Sequence, residues 1–178
     1  MNFQTIVLII PPILLALTFH EYMHGYVAYR LGDNTAKDQG RLSFNPLVHL
    51  DPIGTLMVIL VHFGWARPVP VNPHNLKDPK KDLMWVSVAG PLANMTLALI
   101  SGILLRIIMA GGLSFLSSSV QRPIAMMVNF SLQINIALAF FNLLPIPPLD
   151  GSKILAGFLP PEQDHIIHWL ERYGAFIL

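Results

Sequence analysis

Five consecutive residues, His20-Glu21-Tyr22-Met23-His24, carry the densest chemistry in the chain. On a helix the imidazoles at i and i+4 share one face and can reach one ion, while Glu21, about 100° round, can touch a water on that ion without ligating it. The chain has no cysteine, so any metal must be held by His, Asp or Glu. Two histidines leave a catalytic zinc site one protein ligand short, because such sites use three and keep a fourth position open for water. Asp150 is the best candidate for the third. It lies in NLLPIPPLDG at 142–151, where three prolines within four residues must break a helix and Gly151 permits a tight turn. The alternative is that Asp150-Gly151 is only a loop turn after the helix. Glu162 and His165 have the spacing of a di-iron half-site, but such a site needs a second pair and the sequence has none. His165 and His168 sit in a polar stretch and read as solvated, and His49, His62 and His74 lack ligand spacing and read as structural.

The elements that must position these groups are written in the composition. Of 178 residues, 53% are hydrophobic and only 12% charged, about half the roughly 25% of a soluble domain. Mean hydropathy is +0.56, which excludes a water-soluble globule and a disordered chain. Eleven Lys and Arg against ten Asp and Glu leave no basic surplus for nucleic acid. Three long apolar runs, 3–29, 83–110 and 124–144, can each cross about 30 Å of hydrocarbon, so the expected fold is an all-α membrane bundle in a lipid bilayer. The first run lacks the basic start and small-residue cleavage site of a signal peptide.

Residues 53–63 are strongly apolar but too few for a spanning helix, and suit a short re-entrant or β insertion between the first two spans. If that segment dips in and returns, Arg30, Lys37, Arg41, Arg67, Lys77, Lys80 and Lys81 fall on one side, with only Arg122 opposite. The positive-inside rule then orients the N-terminus outside and the metal site towards the cytosol, as in a multi-pass protein of the plasma (inner) membrane. A last run breaks off within apolar residues at Leu178. The expectation is a single core over 1–178, truncated at its C-terminus, with a partial helix near 165–178.

Polar residues inside the spans carry further information, because each is costly in lipid. Ser87, Gly90, Asn94 and Ser101 share one helical face, a pattern for close helix packing in which Asn94 stands out as a possible substrate contact. Asn135 and Asn142, seven apart, should face the bundle interior, and Asn142 could donate to a substrate carbonyl or oxyanion. Its alternative role is to bond backbone carbonyls freed by Pro145.

Taken together, HEYMH at 20–24, Gly90-Pro91 with Asn94, and the N-x-x-P-x-P-x-x-D-G pattern at 142–151 resemble the site-2 protease family of intramembrane zinc metalloproteases. Residues 40–55 resemble its minimal subgroup, without a PDZ or nucleotide-sensing domain. The resemblance implies one zinc ion per chain held by His20, His24 and Asp150, with Glu21 as general base, and a transmembrane protein as substrate. Substrate identity and oligomeric state are not encoded in these motifs. A helical substrate must be unwound before its carbonyl can be attacked, and part of 40–63 is expected either to offer a strand edge that holds it extended or simply to plug the bundle. The competing function is a zinc-binding transporter or non-catalytic scaffold. A transporter of that kind usually shows an internal repeat, which the sequence lacks.

Overall fold

The computed structural model describes residues 3–61 and 64–177. Its helices are α1 (Phe3–Arg30), α2 (Thr35–Asp38), α3 (Pro52–Val61), α4 (Pro79–Ile107), α5 (Ser118–Asn142), α6 (Asp150–Phe158) and α7 (Asp164–Ile177). Three of them are long and apolar enough to cross a membrane: α1, α4 with its continuation to Gly112, and α5. The start of α4 is written locally. Pro79 opens it, the Asp78 side chain accepts from the Lys81 N–H, and the Asp82 carboxylate accepts from the Asp78 N–H.

Successive long helices run antiparallel, as their side-chain register shows. His24 meets Val86 and His20 meets Asn94 between α1 and α4, while Asn94 meets Asn135 and Ser101 meets Ser131 between α4 and α5. The C-terminal ends of α1 and α5 and the N-terminal end of α4 therefore share one end of the bundle. Small residues line the interior, among them Ala16, Ala28, Ala89, Ala93, Ala98 and Ala139, and large ones such as Leu99, Ile103 and Phe140 face outwards. This arrangement suits lipid, where helices associate by close backbone approach rather than by hiding apolar bulk from water.

Between α1 and α4 the structure revises one expectation. Residues 52–61 form a ten-residue helix rather than a strand, and at about 15 Å it is too short to span. An isolated antiparallel bridge pairs Leu50 with Ala66, and the Arg67 N–H donates to His49 O at 2.8 Å, so the chain leaves and returns at one point. No strand edge occurs within the described part of 40–63, and His62 and Phe63 lie outside the described residues. A short apolar run is ambiguous between strand and helix by periodicity alone. The nine residues of α6 were also not legible as a helix before the structure.

The connection from α1 to α4 is tied by Asp33, whose side chain has no solvent exposure. Its carboxylate accepts from the Thr35 N–H and hydroxyl, the Asn72 N–H and the Asn75 amide, the last two at 2.7 Å. Burial works to raise the Asp33 pKa, but the hydrogen bonds from Thr35, Asn75 and Asn72 outweigh it and hold the carboxyl below its usual range. A carboxyl with a depressed folded-state pKa stabilises fully above its unfolded value, about 3.9, and loses that contribution as pH falls through the folded value. Asp33→Asn should therefore lower stability at pH 7 by about 2–3 kcal/mol, and the gap to wild type should close below about pH 4. Unfolding of the detergent-purified protein followed against pH checks this; a gap that persists unchanged at low pH would refute it.

Candidate active site

Three side chains from two distant parts of the sequence meet at the shared end of the bundle. His20 Nε2 and His24 Nε2 are 3.0 Å apart, and Asp150 Oδ2 lies 3.1 Å from the first and 3.2 Å from the second. All three residues are buried. A tetrahedral ion with bonds of about 2.0–2.1 Å keeps its ligands about 3.3 Å apart, close to this triangle.

The protons argue for a cation as well. His24 Nδ1 is 2.7 Å from the Val86 carbonyl oxygen, which can only accept, so Nδ1 carries a proton and the neutral ring, the form that binds a metal, presents its Nε2 lone pair. His20 Nδ1 likewise donates to Asn94 Oδ1 at 2.6 Å. Asp150 Oδ2 is buried and accepts no hydrogen bond. Two lone pairs and an anion thus converge with no donor between them. Such a set repels itself unless a cation occupies its centre, and the residues fit a metal ion on both distance and donor chemistry.

Local structure explains the convergence. The i, i+4 spacing on α1 aligns the imidazoles, and Gly90 on α4 makes room for them: a Cβ there would lie 2.6 Å from His20 Cε1 and 2.5 Å from His24 Cε1. Asp150 is the first residue of α6. Gly151 brings the start of that helix against the Leu143 and Leu144 carbonyls, an approach that any side chain would block.

Glu21 lines the same cleft, of about 740 Å³, and stands outside the metal-ligand group. Its Oε2 accepts from the Val69 N–H at 2.9 Å. That N–H belongs to a loop segment steadied on one side by Arg41, whose guanidinium donates to the Arg67 and Pro68 carbonyls, and on the other by the bond from the Asn72 N–H to Asp33. Asn142 also lines the cleft and donates to Leu138 O at 3.0 Å.

Asn94 departs from expectation. It is fully buried and absent from the cleft lining, with its amide used by His20, Ala16 O and Asn135, so it stands behind the imidazole rather than beside a substrate. Of the remaining histidines, His49 is buried in its loop with Nε2 donating to Ser43 O, and His74, His165 and His168 are exposed. Sequence reasoning missed Val69 and the Val86 carbonyl, because a backbone partner leaves no mark in residue type. It took Gly90 for packing, although the position of that glycine opposite a HExxH helix carried a usable signal.

A model of peptidase family M50 matches residues 8–178. Among curated relatives, "Putative zinc metalloprotease YwhC" of Bacillus subtilis (strain 168) is 42% identical over 165 residues, covering 93% of this chain and 75% of the relative. "Putative zinc metalloprotease MJ0611" of Methanocaldococcus jannaschii is 33% identical over 159 residues, covering 86% of this chain and 73% of its own. "Putative zinc metalloprotease Rip2" of Mycolicibacterium smegmatis is 29% identical over 185 residues, covering 97% of this chain but 65% of its own. No solved structure matches the chain significantly.

Gly90 supplies a test whose sign is informative. Alanine within a helix normally stabilises by about 0.5–1 kcal/mol relative to glycine. Gly90→Ala should instead displace the imidazoles and weaken divalent-metal binding by about 10-fold or more, as read by chelator competition. Gly102→Ala, whose added Cβ would meet only Leu132 Cδ1 at 3.8 Å, is the matched control and should bind metal normally. Equal metal affinity in the two variants would remove Gly90 from the site's design.

Proposed function

The chain belongs to peptidase family M50, and on that premise we propose that it is an intramembrane zinc protease that hydrolyses peptide bonds in or near the transmembrane segments of other membrane proteins. The observation that carries this reading is the convergence of His20, His24 and Asp150 at the base of a cleft that also holds Glu21. In it His20 Nε2, His24 Nε2 and Asp150 Oδ2 are the zinc ligands, one ion per chain. Zinc held there supplies a Lewis acid for the scissile carbonyl and lowers the pKa of a water towards about 7.

The chain's own groups do the rest. Glu21 takes a proton from water in the cleft and returns it to the leaving amine. The Val69 N–H occupies one carboxylate oxygen, so the other is the one that works as the base. Asn142 has a second amide hydrogen beyond the one given to Leu138 O, and directs it to a substrate carbonyl. Asn94 serves His20 rather than the substrate. A locally unwound substrate lies along the segment 68–71, which lines the cleft beside Glu21. With Arg30, Lys37, Arg41, Arg67, Lys77, Lys80 and Lys81 gathered between α1 and the start of α4, the cleft end faces the cytosol and the N-terminus lies outside.

In the competing reading, a zinc transporter or non-catalytic scaffold, HExxH coordinates metal without hydrolysis, and a transporter can use Glu21 as a ligand. Its bond to Val69 and its place outside the ligand group favour a base instead. Glu21→Gln should keep wild-type zinc content and lose cleavage of a transmembrane substrate by about 10²–10⁴-fold. Asp150→Ala should weaken zinc binding by more than about 100-fold, beyond what loss of an outer partner costs. Purified proteins assayed for zinc and for cleavage decide the matter: undiminished cleavage by zinc-matched Glu21→Gln contradicts the mechanism, and loss of zinc in that variant favours the transporter.

A further inference from the structure

Behind His20 a line of hydrogen bonds crosses three helices, and two backbone carbonyls fix its direction. Asn135 Nδ2 donates to Ser131 O at 2.8 Å and reaches Ser131 Oγ at 3.3 Å. A carbonyl oxygen only accepts, so the amide nitrogen of Asn135 must be on that side, and Oδ1 must face Asn94. Asn94 Nδ2 donates to it at 2.8 Å and to the Ala16 carbonyl at 3.2 Å. Asn94 Oδ1 is thereby turned towards His20, 2.6 Å from Nδ1, and Nδ1 must carry the proton. The lone pair of the ring is left on Nε2, facing His24 and Asp150. Asn94 and Asn135 have no solvent exposure, so water offers neither amide an alternative partner.

We propose that Asn135, on α5 and outside the cleft lining, is a positioning residue that sets the Nδ1–H tautomer of His20 through Asn94 and so the metal affinity of the site. The proposal rests on the zinc-site reading above. If Asn135 only glued α4 to α5, as polar residues in membrane helices commonly do, its loss would lower the stability of metal-free and metal-bound protein alike and leave the affinity unchanged. A positioning role moves the affinity itself, because an Asn94 amide held only by the longer bond to the Ala16 carbonyl at 3.2 Å can turn more readily, offer Nδ2 to the ring and favour the wrong tautomer.

The test uses the full chain in detergent with zinc as the probe. Wild type, Asn135→Leu and Asn135→Asp are titrated against a competing chelator, and histidine tautomers of the metal-free wild type are read by ¹⁵N NMR. Asn135→Leu removes both ends of the relay and should bind zinc about 10-fold more weakly. Asn135→Asp, kept neutral by its burial, can still accept from Asn94 and donate its O–H to Ser131 O, and should bind within about 3-fold of wild type. Metal-free His20 should be the Nδ1–H form. Wild-type affinity in Asn135→Leu overturns the proposal, as does equal weakening of both variants. The Nε2–H form in wild type does so even if Asn135→Leu fails to fold. Absence of zinc binding by wild type defeats the zinc-site reading instead.

Discussion

The arrangement rests on a single electrostatic constraint: two imidazole nitrogens and a carboxylate oxygen are held within 3.2 Å of one another, largely buried at the base of the cleft. In a low-dielectric interior such a cluster is unfavourable unless a cation joins it. Its neighbours prevent each obvious escape. Neither ring can turn its Nε2 away without giving up the bond from Nδ1 to Asn94 or to the Val86 carbonyl, and Asp150 cannot withdraw while Gly151 is seated against the end of α5. The site is organised before any ion arrives, which is how metal centres gain both affinity and geometry.

Lipid as solvent explains how that order is maintained. Apolar bulk on the outer faces contributes little to helix association in a bilayer, so cohesion comes from close contact at alanine and glycine and from interhelical hydrogen bonds. The bonds linking Ala16, Asn94, Asn135, Ser131 and Ser101 join α1, α4 and α5 and end at the imidazole of His20, a proposed zinc ligand. Packing and metal chemistry therefore share the same polar residues. On the cleft side, Asp33 and Arg41 steady the segment that presents the Val69 N–H to Glu21.

What the sequence made legible follows from the range of each signal. HExxH is local: five residues on one helix place two imidazoles on one face whatever surrounds them. The three long helices were readable because length and apolarity suffice to specify a span. Asp150 could be nominated from its proline-rich setting, where a turn explained it equally well; its nearness to His20 and His24 depends on the start of α6 packing against the end of α5, which no local pattern encodes. Asn94 was noticed as an amide in lipid, and the structure sets it behind the imidazole of His20 rather than in the cleft lining, because helix register decides which of the two a side chain meets. Residues 52–61 were ambiguous between strand and helix, and only the bridge between Leu50 and Ala66 shows how the chain returns.

The central claim is that His20, His24 and Asp150 bind one zinc ion together. Zinc K-edge X-ray absorption on the purified, zinc-loaded protein addresses it directly. The account predicts a four-coordinate first shell at about 2.0–2.1 Å, with two imidazole nitrogens and the remainder oxygen. A first shell with fewer than two imidazoles, or with six oxygen-type ligands at longer distances, would contradict it.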